Sequence, residues 1–513
     1  MKTFQKYTQL LLVLIALFAF DACTDSTLEL ASTQETADAY YQSEEQISMA
    51  LVAAYDPMGW AWRSLNWGGS LKTWGNFASD DAYAGGNNVN DQPTYQAADI
   101  YTVSPADPAL NLESMWTSYF MGNFRAQLIL ENVAPDNDFN KRAIAQAKFL
   151  KGFYYFYLSR MFGGLPIVDH VPLPDEIIAR STYDETLTYI ETLLEEAIAS
   201  GDLQTREGMN DPANGLATLA SAQALLGKTY MYHKKYDQAI TVLNQVASNP
   251  SYQLETQYWR IFKGSNSHGV ESIFEINFST SLGAGNEGNS DIFLMGPRGG
   301  VTFNDTISSG WGFNQPTQDL VDAFMAENDM VRLHGTVLFS DSLQAWYDKT
   351  LGVHTPINWI GQRDGYWDRK HYPDPNNSVS ITHFRFGNND IILRLADVYL
   401  LLAEAYVRTN NNGESLKNIN KVRERAKLPL LTSVSLTDVK KERRLEMALE
   451  ADRYFDLVRW TGDADQIDAD HVLGPLGYSN GTPGTKTKGL FPIPQREINS
   501  TYGENKLIQN EGY

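Results

Sequence analysis

Residues 214–250 predict two short helices joined by a tight turn, and this hairpin constrains the fold more than any other stretch of the chain. The apolar residues of the first helix recur at spacings of three and four and so share one helical face, namely Leu219, Ala222, Leu226 and Tyr230. The second helix has its own apolar face, formed by Ala239, Ile240, Val242, Leu243 and Val246. Small residues such as Gly227 let the two backbones approach. Pro250 ends the hairpin, because the residue before a proline avoids the helical region.

A second stretch, residues 400–429, repeats this pattern in the same register, with Leu402, Ala403, Tyr406, Ser415, Ile419 and Val422. The offsets in both copies match the tetratricopeptide repeat, whose unit is about 34 residues long. One such hairpin cannot bury its apolar face alone, so we expect further helix pairs, and residues 147–162 can supply the first helix of another. The alternative is a set of unrelated antiparallel helix pairs. The pattern predicts a binding scaffold without naming the ligand.

The amino terminus has the pattern of a lipoprotein signal sequence over residues 1–22. Two lysines precede an apolar run at residues 10–20, which is too short for a comfortable membrane span. Cys23 follows directly and is the only cysteine of the 513 residues. We therefore expect cleavage after Ala22, attachment of lipid to the Cys23 thiol, and a polar tether over residues 23–40. The alternative is an ordinary cleavage site with an incidental cysteine.

The charge of the chain excludes some classes of ligand. The formal net charge is −21 and the isoelectric point is near 4.8. An acidic field of this size repels phosphate backbones and anionic lipid headgroups, so we expect no nucleic-acid partner. Solubility is a sufficient alternative reason for the acidity.

Helical periodicity divides the mature chain into a helical region at 41–250 and a second region at 251–513. The first is interrupted at 57–109 by an irregular insertion rich in Gly, Asn, Asp and Trp. The second has a loop-rich part at 251–389, irregular from 340 to 386, then a helical part at 390–460 and an extended tail at 461–513. Within the loop-rich part, residues 272–278 (SIFEINF) alternate as in a strand. Nine of the eleven tryptophans fall in the two irregular parts, and long irregular segments inside a domain are usually functional.

The last helix is predicted as one element over residues 437–460. Its apolar face comprises Ala448, Ala451, Phe455 and Val458. Opposite charges stand three residues apart at Arg443–Glu446, Glu450–Arg453 and Arg453–Asp456. Such pairs are typical of a solvated helix face, where each contributes a few tenths of a kcal/mol. The tail places prolines on either side of Ile493, which predicts an extended clamp over the helices.

Several stretches together resemble the SusD/RagB family of outer-membrane lipoproteins of Bacteroidetes. They include AKFLKGFYYFYLSRMFGGLPIV, IILRLADVYLLLAEAY, NKVRERAKLP, ERRLEMALEADRYFDLVRW, LFPIPQREI and the terminal QNEGY. The resemblance implies a mainly α fold, in which a tetratricopeptide-like scaffold of helical pairs carries irregular, loop-rich regions packed on one side. It also implies a cell-surface protein that passes oligosaccharides to a SusC-like TonB-dependent transporter. RagB-like members look more like peptide binders, so the ligand stays open between glycan and peptide.

The irregular parts supply the residue types that bind sugars. Aromatic rings stack on the apolar faces of a sugar, while Asn, Asp and Arg pair with its hydroxyl groups. We expect a stacking platform that includes Trp74, Trp311, Trp359 and Trp367. The candidate polar contacts are Asp81, Asn87 and Arg369. The alternative for any one tryptophan is a packing residue of the core or of a loop.

The sequence gives little support for catalysis. The adjacent Asp80 and Asp81 point to opposite faces of a strand, whereas a glycosidase needs two carboxylates on facing walls. The sequence contains no HExxH or P-loop motif. We expect a binding protein without a cofactor, and a surface glycoside hydrolase is the alternative from another class. Gly, Asn and Asp near Asn87 and Asp374 are the candidates for a structural calcium ion.

Overall fold

The computed structural model describes residues 40–60, 70–106, 111–208, 211, 214–279, 288–299, 310–372, 386–476 and 487–513. Cys23, the signal sequence and nearly all of the tether lie outside these residues, and so does Asp374. Within the described residues, no helix is both long and apolar enough to cross a bilayer.

Antiparallel helices dominate the first half of the chain, as the repeat pattern predicted. They are α1 Glu44–Tyr55, α2 Leu71–Phe77, α3 Pro93–Asp99, α4 Asn111–Asn132, α5 Asp138–Phe162, α6 Tyr183–Ala199, α7 Leu219–Tyr232 and α8 Tyr236–Ala247. The helices from α4 to α8 pack each against the next. At the centre of the array, every residue of α5 from Phe149 onward is buried.

The α7–α8 hairpin is confirmed, and its small residues act as expected. The Leu243 side chain lies directly on Gly227, so closely that a Cβ atom there would come within 2.3 Å of Leu243 Cδ2. The α7 helix begins at a capping box in which Thr218 and Ser221 satisfy each other's backbone N–H groups. The close approach of the two backbones therefore depends on glycine at position 227.

The second predicted hairpin is also confirmed and continues the same array. The helices of the second half are α9 Asp291–Met295, α10 Gln318–Ala326, α11 Met330–Thr336, α12 Ser340–Leu351, α13 Leu395–Arg408, α14 Asn412–Arg425, α15 Leu436–Met447, α16 Arg453–Arg459 and α17 Gln495–Ser500. The α13–α14 hairpin packs on α8, and α15 packs on α13. The scaffold is thus one run of helix pairs, to which both halves of the chain contribute.

The irregular parts contain more regular structure than the sequence predicted. Three two-stranded antiparallel sheets pair β1 Ala82–Gly85 with β3 Phe313–Pro316, β2 Ser272–Ile276 with β6 Asp390–Arg394, and β4 Val337–Phe339 with β5 Tyr366–Asp368. Strand β2 was predicted, whereas helices α2, α3, α11 and α12 were not. The irregular assignment of residues 340–351 is wrong, because Leu343, Trp346 and Tyr347 have helical spacing and pack on the same cluster. A high tryptophan content alone therefore does not indicate a loop.

The single helix predicted over residues 437–460 is wrong, since the chain breaks between α15 and α16. Leu449 and Ala451 adopt left-handed backbone conformations, with φ values of 63° and 72°. The Asn76 side chain holds this break from α2, donating to the Leu449 carbonyl at 3.2 Å and accepting from the Ala451 N–H at 2.9 Å. A contact from elsewhere in the fold therefore overrides the local helical pattern.

The interpretation of the charges on α15 and α16 as a solvated face is also wrong, because these side chains are buried. Arg443 donates to Asp456 at 2.6 Å, to Asp452 at 3.1 Å and also to Asp397. Arg453 forms a bidentate pair with Asp80 at 2.7 and 2.8 Å. Buried charged side chains need partners of opposite charge. Here the partners of Arg443 and Arg453 come from other elements of the fold and not from the residue three positions along the helix.

Asp452 connects the two halves of the chain. Its carboxylate accepts from Arg160 of α5 at 2.7 Å and from Lys228 of α7 at 2.6 Å. Burial alone would raise the pKa of Asp452, but the surrounding cations hold that pKa far below its usual range. Lys228 also pairs with Asp397 of α13 at 3.0 Å. One buried group of ion pairs is therefore shared by α5, α7, α13 and the α15–α16 break.

The tail clamps the helices, as predicted, although it is not extended throughout. Phe491 and Ile493 are buried, and the Phe491 N–H donates to the Met161 carbonyl at 2.7 Å. Asn510 donates to the carbonyl oxygens of Phe162 and Phe491 at 3.1 and 2.7 Å. Helix α17 and a helical turn at 469–473 interrupt the extended path.

Candidate functional site

Four segments of the irregular parts meet on one face, because β1 and β3 pair and draw the flanking chain together. Gly86 donates its N–H to the Gly312 carbonyl at 2.8 Å, and Ile360 donates to the Arg298 carbonyl at 2.9 Å. Gln315 donates to the Gly361 carbonyl at 3.0 Å. The segments that meet are residues 85–91, 296–299, 310–316 and 359–363.

Glycine allows this convergence. Gly86 and Gly361 both have positive φ, at 77° and 67°, where other residues are strained. A Cβ atom on Gly361 would lie 1.9 Å from the Gly86 carbonyl oxygen, so only glycine fits where these two backbones touch. The density of glycine in the irregular parts is therefore a packing requirement.

Arg298 is the central polar residue of the candidate site. Its Nη1 donates to the Asp91 carboxylate at 2.8 Å and to the Trp311 carbonyl at 3.3 Å. The same Asp91 oxygen accepts the backbone N–H of Asn87 at 2.8 Å. The side chains of Arg298 and Asp91 are each about a quarter exposed, at 26% and 25%, so solvent reaches the pair.

Two predicted tryptophans adjoin this pair through their backbones. Trp311 is half-buried with its ring edge-on to Phe293, at a centroid distance of 5.4 Å. Trp359 is half-buried, and its backbone forms an antiparallel bridge with Gly299, the residue after Arg298. We define the Arg298 site as Asn87, Asp91, Arg298, Trp311 and Trp359. It combines aromatic rings, a cation and a carboxylate on a surface that solvent reaches.

The structure places Trp74 and Trp367 in the interior, which is a correction to the predicted stacking platform. Trp74 of α2 is fully buried beside Phe491, at a centroid distance of 5.2 Å. Trp367 is also fully buried and donates its Nε1–H to the Ser340 hydroxyl at 2.8 Å. Neither ring presents a face to solvent, so both serve packing in this structure. Trp367 reaches the site indirectly, as the support beneath Trp359.

Of the predicted polar residues, only Asn87 belongs to the Arg298 site. Asp81 is buried and accepts from Arg444 Nε of α15 at 2.8 Å, so it fastens β1 to the scaffold. Arg369 is half-buried beyond β5, where its N–H donates to the Thr336 carbonyl at 2.9 Å. The expected contact of Asp81 with a ligand is therefore wrong for this structure.

Arg298 and Asp91 were not among the predicted site residues. Arg298 stands in the glycine-rich stretch MGPRGG, and Asp91 follows the run GGNNVN. The sequence feature that could have indicated Arg298 is a single cation within a glycine-rich segment, because side chains in such segments are often exposed to solvent. The pairing itself spans 207 residues and has no local signature.

The described residues contain no group of three or more His, Cys, Asp or Glu side chains placed to hold a metal ion. Near Asn87, one oxygen of the Asp91 carboxylate accepts from Arg298 and from a backbone N–H, and the structural calcium there stays a prediction. The part of that prediction that concerns Asp374 lies outside the described residues.

Comparison with known proteins relates this fold to one family. The profile of the SusD family matches residues 270–513, and a profile described as "Starch-binding associating with outer membrane" matches residues 28–231. A solved structure described as a laminarin binding SusD-like protein is 30% identical, with a TM-score of 0.78. The match covers 92% of this chain and 100% of that one. This chain belongs to the SusD family. The resemblance seen in the sequence motifs and the mainly α fold class are thereby confirmed.

Other SusD relatives extend along most of the chain. SusD-like protein P38 of Formosa agariphila is 26% identical over 100% of both chains. Starch-binding protein SusD of Bacteroides thetaiotaomicron is 25% identical over 72% of this chain and 73% of its own length. Surface glycan-binding protein A from Bacteroides thetaiotaomicron, solved in complex with laminarihexaose, is 25% identical over 91% of this chain and 99% of that one, with a TM-score of 0.75. The names of the last two refer to binding.

Proposed function

We propose that this SusD protein binds glycans at the cell surface and delivers oligosaccharides to a SusC-like TonB-dependent transporter in the outer membrane. The observation that carries the proposal is the Arg298 site, where Trp311 and Trp359 adjoin a solvent-accessible Arg298–Asp91 pair. Aromatic rings beside a few oriented polar groups are what a sugar ring requires. The names of three relatives, which refer to laminarin, laminarihexaose and starch, support a glucan as the ligand.

The geometry supports one way of holding such a ligand. Within the described residues Arg298 uses Nη1 for both of its hydrogen bonds, so its remaining N–H groups can donate to sugar hydroxyls. The Asp91 carboxylate can accept from a hydroxyl while it balances the charge of Arg298. The aromatic rings then supply apolar contact of about 1 to 2 kcal/mol each, on the scale of roughly 25 cal/mol per Å².

Other observations support the proposed location and partner. The family description over residues 28–231 mentions association with the outer membrane. Lipid on Cys23 would anchor the chain there, and the transporter partner rests on the family resemblance. A helical scaffold with a loop-rich binding face suits a protein that holds a ligand while docked to another protein.

Calorimetry on the chain that begins at residue 24 tests the ligand. The titrants are laminarihexaose, maltohexaose and a mixture of short peptides. In a separate assay, the protein is incubated overnight with each glucan and newly formed reducing ends are measured. We expect binding of a glucan without new reducing ends, and weaker binding by the Trp359→Ala variant. Binding of peptides alone would instead support a RagB-like peptide carrier, and new reducing ends would identify a glycoside hydrolase.

A further inference from the structure

A second concave surface lies between the scaffold and the tail. The groove has a volume of about 590 Å³ and is walled by α4, by the crossing segment at 166–178 and by residues 497–507. Most of its lining is aromatic or aliphatic, with Trp116, Phe120, Met121, Phe124, Val168, Ile177, Ile178 and Leu507. We call this surface the α4 groove.

Large apolar side chains are exposed along the rim of the α4 groove. Met121, Phe124 and Tyr502 line it, and Leu173 stands between two lining prolines with 72% of its surface exposed. Ile508 follows the lining residue Leu507 and is equally exposed. An apolar patch of this kind on a soluble domain is typical of an interaction site. Aliphatic groups such as Met121 and Leu173 cannot pair with sugar hydroxyls, whereas methionine and aromatic residues are enriched in protein interfaces.

The walls of the groove are fixed to the scaffold. Asn505 donates to the Ile177 carbonyl at 2.8 Å, and Gln127 donates to the Asp169 carbonyl at 2.8 Å. Arg180 donates to the Ile508 carbonyl at 2.8 Å. A partner that enters this groove therefore loses little free energy to ordering it.

The charged side chains that line the groove are acidic, while His170 contacts Glu176 at 2.8 Å and Arg496 adjoins Glu497 just outside the lining. Its described lining residues include three carboxylates, Asp175, Glu176 and Glu497, and no cation. Trp116 donates to Glu497 from the floor, and burial together with the nearby Glu113 raises the pKa of Glu497. A basic side chain is the complement of this acidic rim.

We propose that the α4 groove is the docking surface for the transporter, and that it receives an apolar segment carrying a lysine or arginine. This inference rests on the proposed function for the existence of the partner, and it adds where that partner binds. It leaves the Arg298 site free to hold a glycan.

Charge-introducing variants test the surface in the native outer membrane. After mild detergent extraction, at least ten-fold less transporter should co-purify with the double variant Met121→Glu, Leu173→Glu than with the parent. Val353→Glu is the matched control, because Val353 is a similarly exposed apolar residue at the end of α12. Asp175→Lys should weaken recovery as well, and most strongly at low salt. Equal recovery by the double variant and the parent would overturn the inference and leave the proposed partnership intact.

A photo-crosslinker at position 502 keeps the test valid even if the double variant folds poorly. Benzoylphenylalanine in place of Tyr502 should crosslink to an apolar, basic peptide of the transporter, identified by mass spectrometry. Crosslinks only to a second copy of this chain, or loss of laminarihexaose binding by the double variant, would each overturn the inference. Failure of the unaltered protein to recover any transporter would instead overturn the partnership itself, and the docking surface with it.

Discussion

The ring of Trp359 lies over the ring of Trp367, with centroids 5.6 Å apart and planes inclined by 45°. Trp359 is half-buried at the Arg298 site, whereas Trp367 is fully buried and bonded to Ser340. Two tryptophans in contact thus have different surroundings, and we expect their substitution to have different consequences.

The first prediction separates binding from stability at this pair. Trp359→Ala should weaken glucan binding about five- to thirty-fold, from the loss of about 1 to 2 kcal/mol of apolar contact, with little change in melting temperature. Trp367→Ala should lower the free energy of unfolding by roughly 3 to 5 kcal/mol, because it empties a packed interior site. Calorimetric titration and thermal melting measure the two effects. Unchanged binding by a well-folded Trp359→Ala variant would remove Trp359 from the site.

The second prediction concerns charge selectivity. In the parent, Asp91 neutralises Arg298 across 2.8 Å, which favours a neutral glycan over an acidic one. Asp91→Asn removes the negative charge that balances Arg298. The affinity for a uronic-acid hexamer, relative to that for laminarihexaose, should therefore rise about five-fold. This ratio corresponds to about 1 kcal/mol of binding free energy, as expected for a partly exposed ion pair. The gain should shrink in high salt. Asp184→Asn, at an exposed position of α6, is the control and should leave the ratio unchanged.

The third prediction concerns stability in acid. Burial alone would raise the pKa of Glu404, but Arg459 and Arg408 lower it from 4.5 to about 2. The ionised carboxylate therefore contributes stability above pH 4.5, and this contribution is lost as the pH falls through 4.5 toward 2. Glu404→Gln should lower the free energy of unfolding at neutral pH by about 3 kcal/mol. The difference from the parent should narrow in acid.

Denaturant unfolding between neutral pH and pH 3 measures this effect. Glu414→Gln is the control, since Glu414 forms an exposed pair with Lys417 and should change stability by less than about 1 kcal/mol. A difference between Glu404→Gln and the parent that stays constant across this pH range would contradict the assignment of the effect to ionisation.

The fourth prediction concerns the repeat hairpin. Gly227→Ala should destabilise the protein by about 1 to 3 kcal/mol, because the new methyl group meets the Leu243 side chain within 2.3 Å. Gly413→Ala in α14 is a matched change, since the added Cβ has no atom within 4 Å apart from its chain neighbours and its own helix backbone. There the substitution should stabilise by about 0.4 to 1 kcal/mol through the unfolded state. Similar melting temperatures for both variants would argue against close packing of α7 on α8.

Local patterns predicted the parts of this fold that local patterns determine. The α7–α8 and α13–α14 hairpins and strand β2 carry their periodicity within a few residues, and all were confirmed. The break after Met447 could not be predicted in this way, because Asn76 makes it from 375 residues earlier in the chain. Trp74 is buried for a similar reason, since the ring that covers it belongs to the tail.

The candidate site shows the same limit. Trp311, Trp359 and Asn87 were predicted because sugar-binding residue types in irregular segments are visible in a sequence. Arg298 was not, because its significance depends on Asp91 and on the turn that brings the two together. Which tryptophans face solvent is likewise decided by the packing of distant segments.

The ion pairs of Asp452 affect how this protein can be divided. One family profile ends at residue 231 and the other begins at residue 270, so the natural place to cut lies between α7 and β2. Such a cut would leave Arg160 and Lys228 in one fragment and Asp452 in the other. The first fragment would then bury Arg160 and Lys228 without their carboxylate partners. The sequence boundary between the profiles is therefore not a folding boundary, and exchange of halves between relatives would succeed only where both carry matching charges.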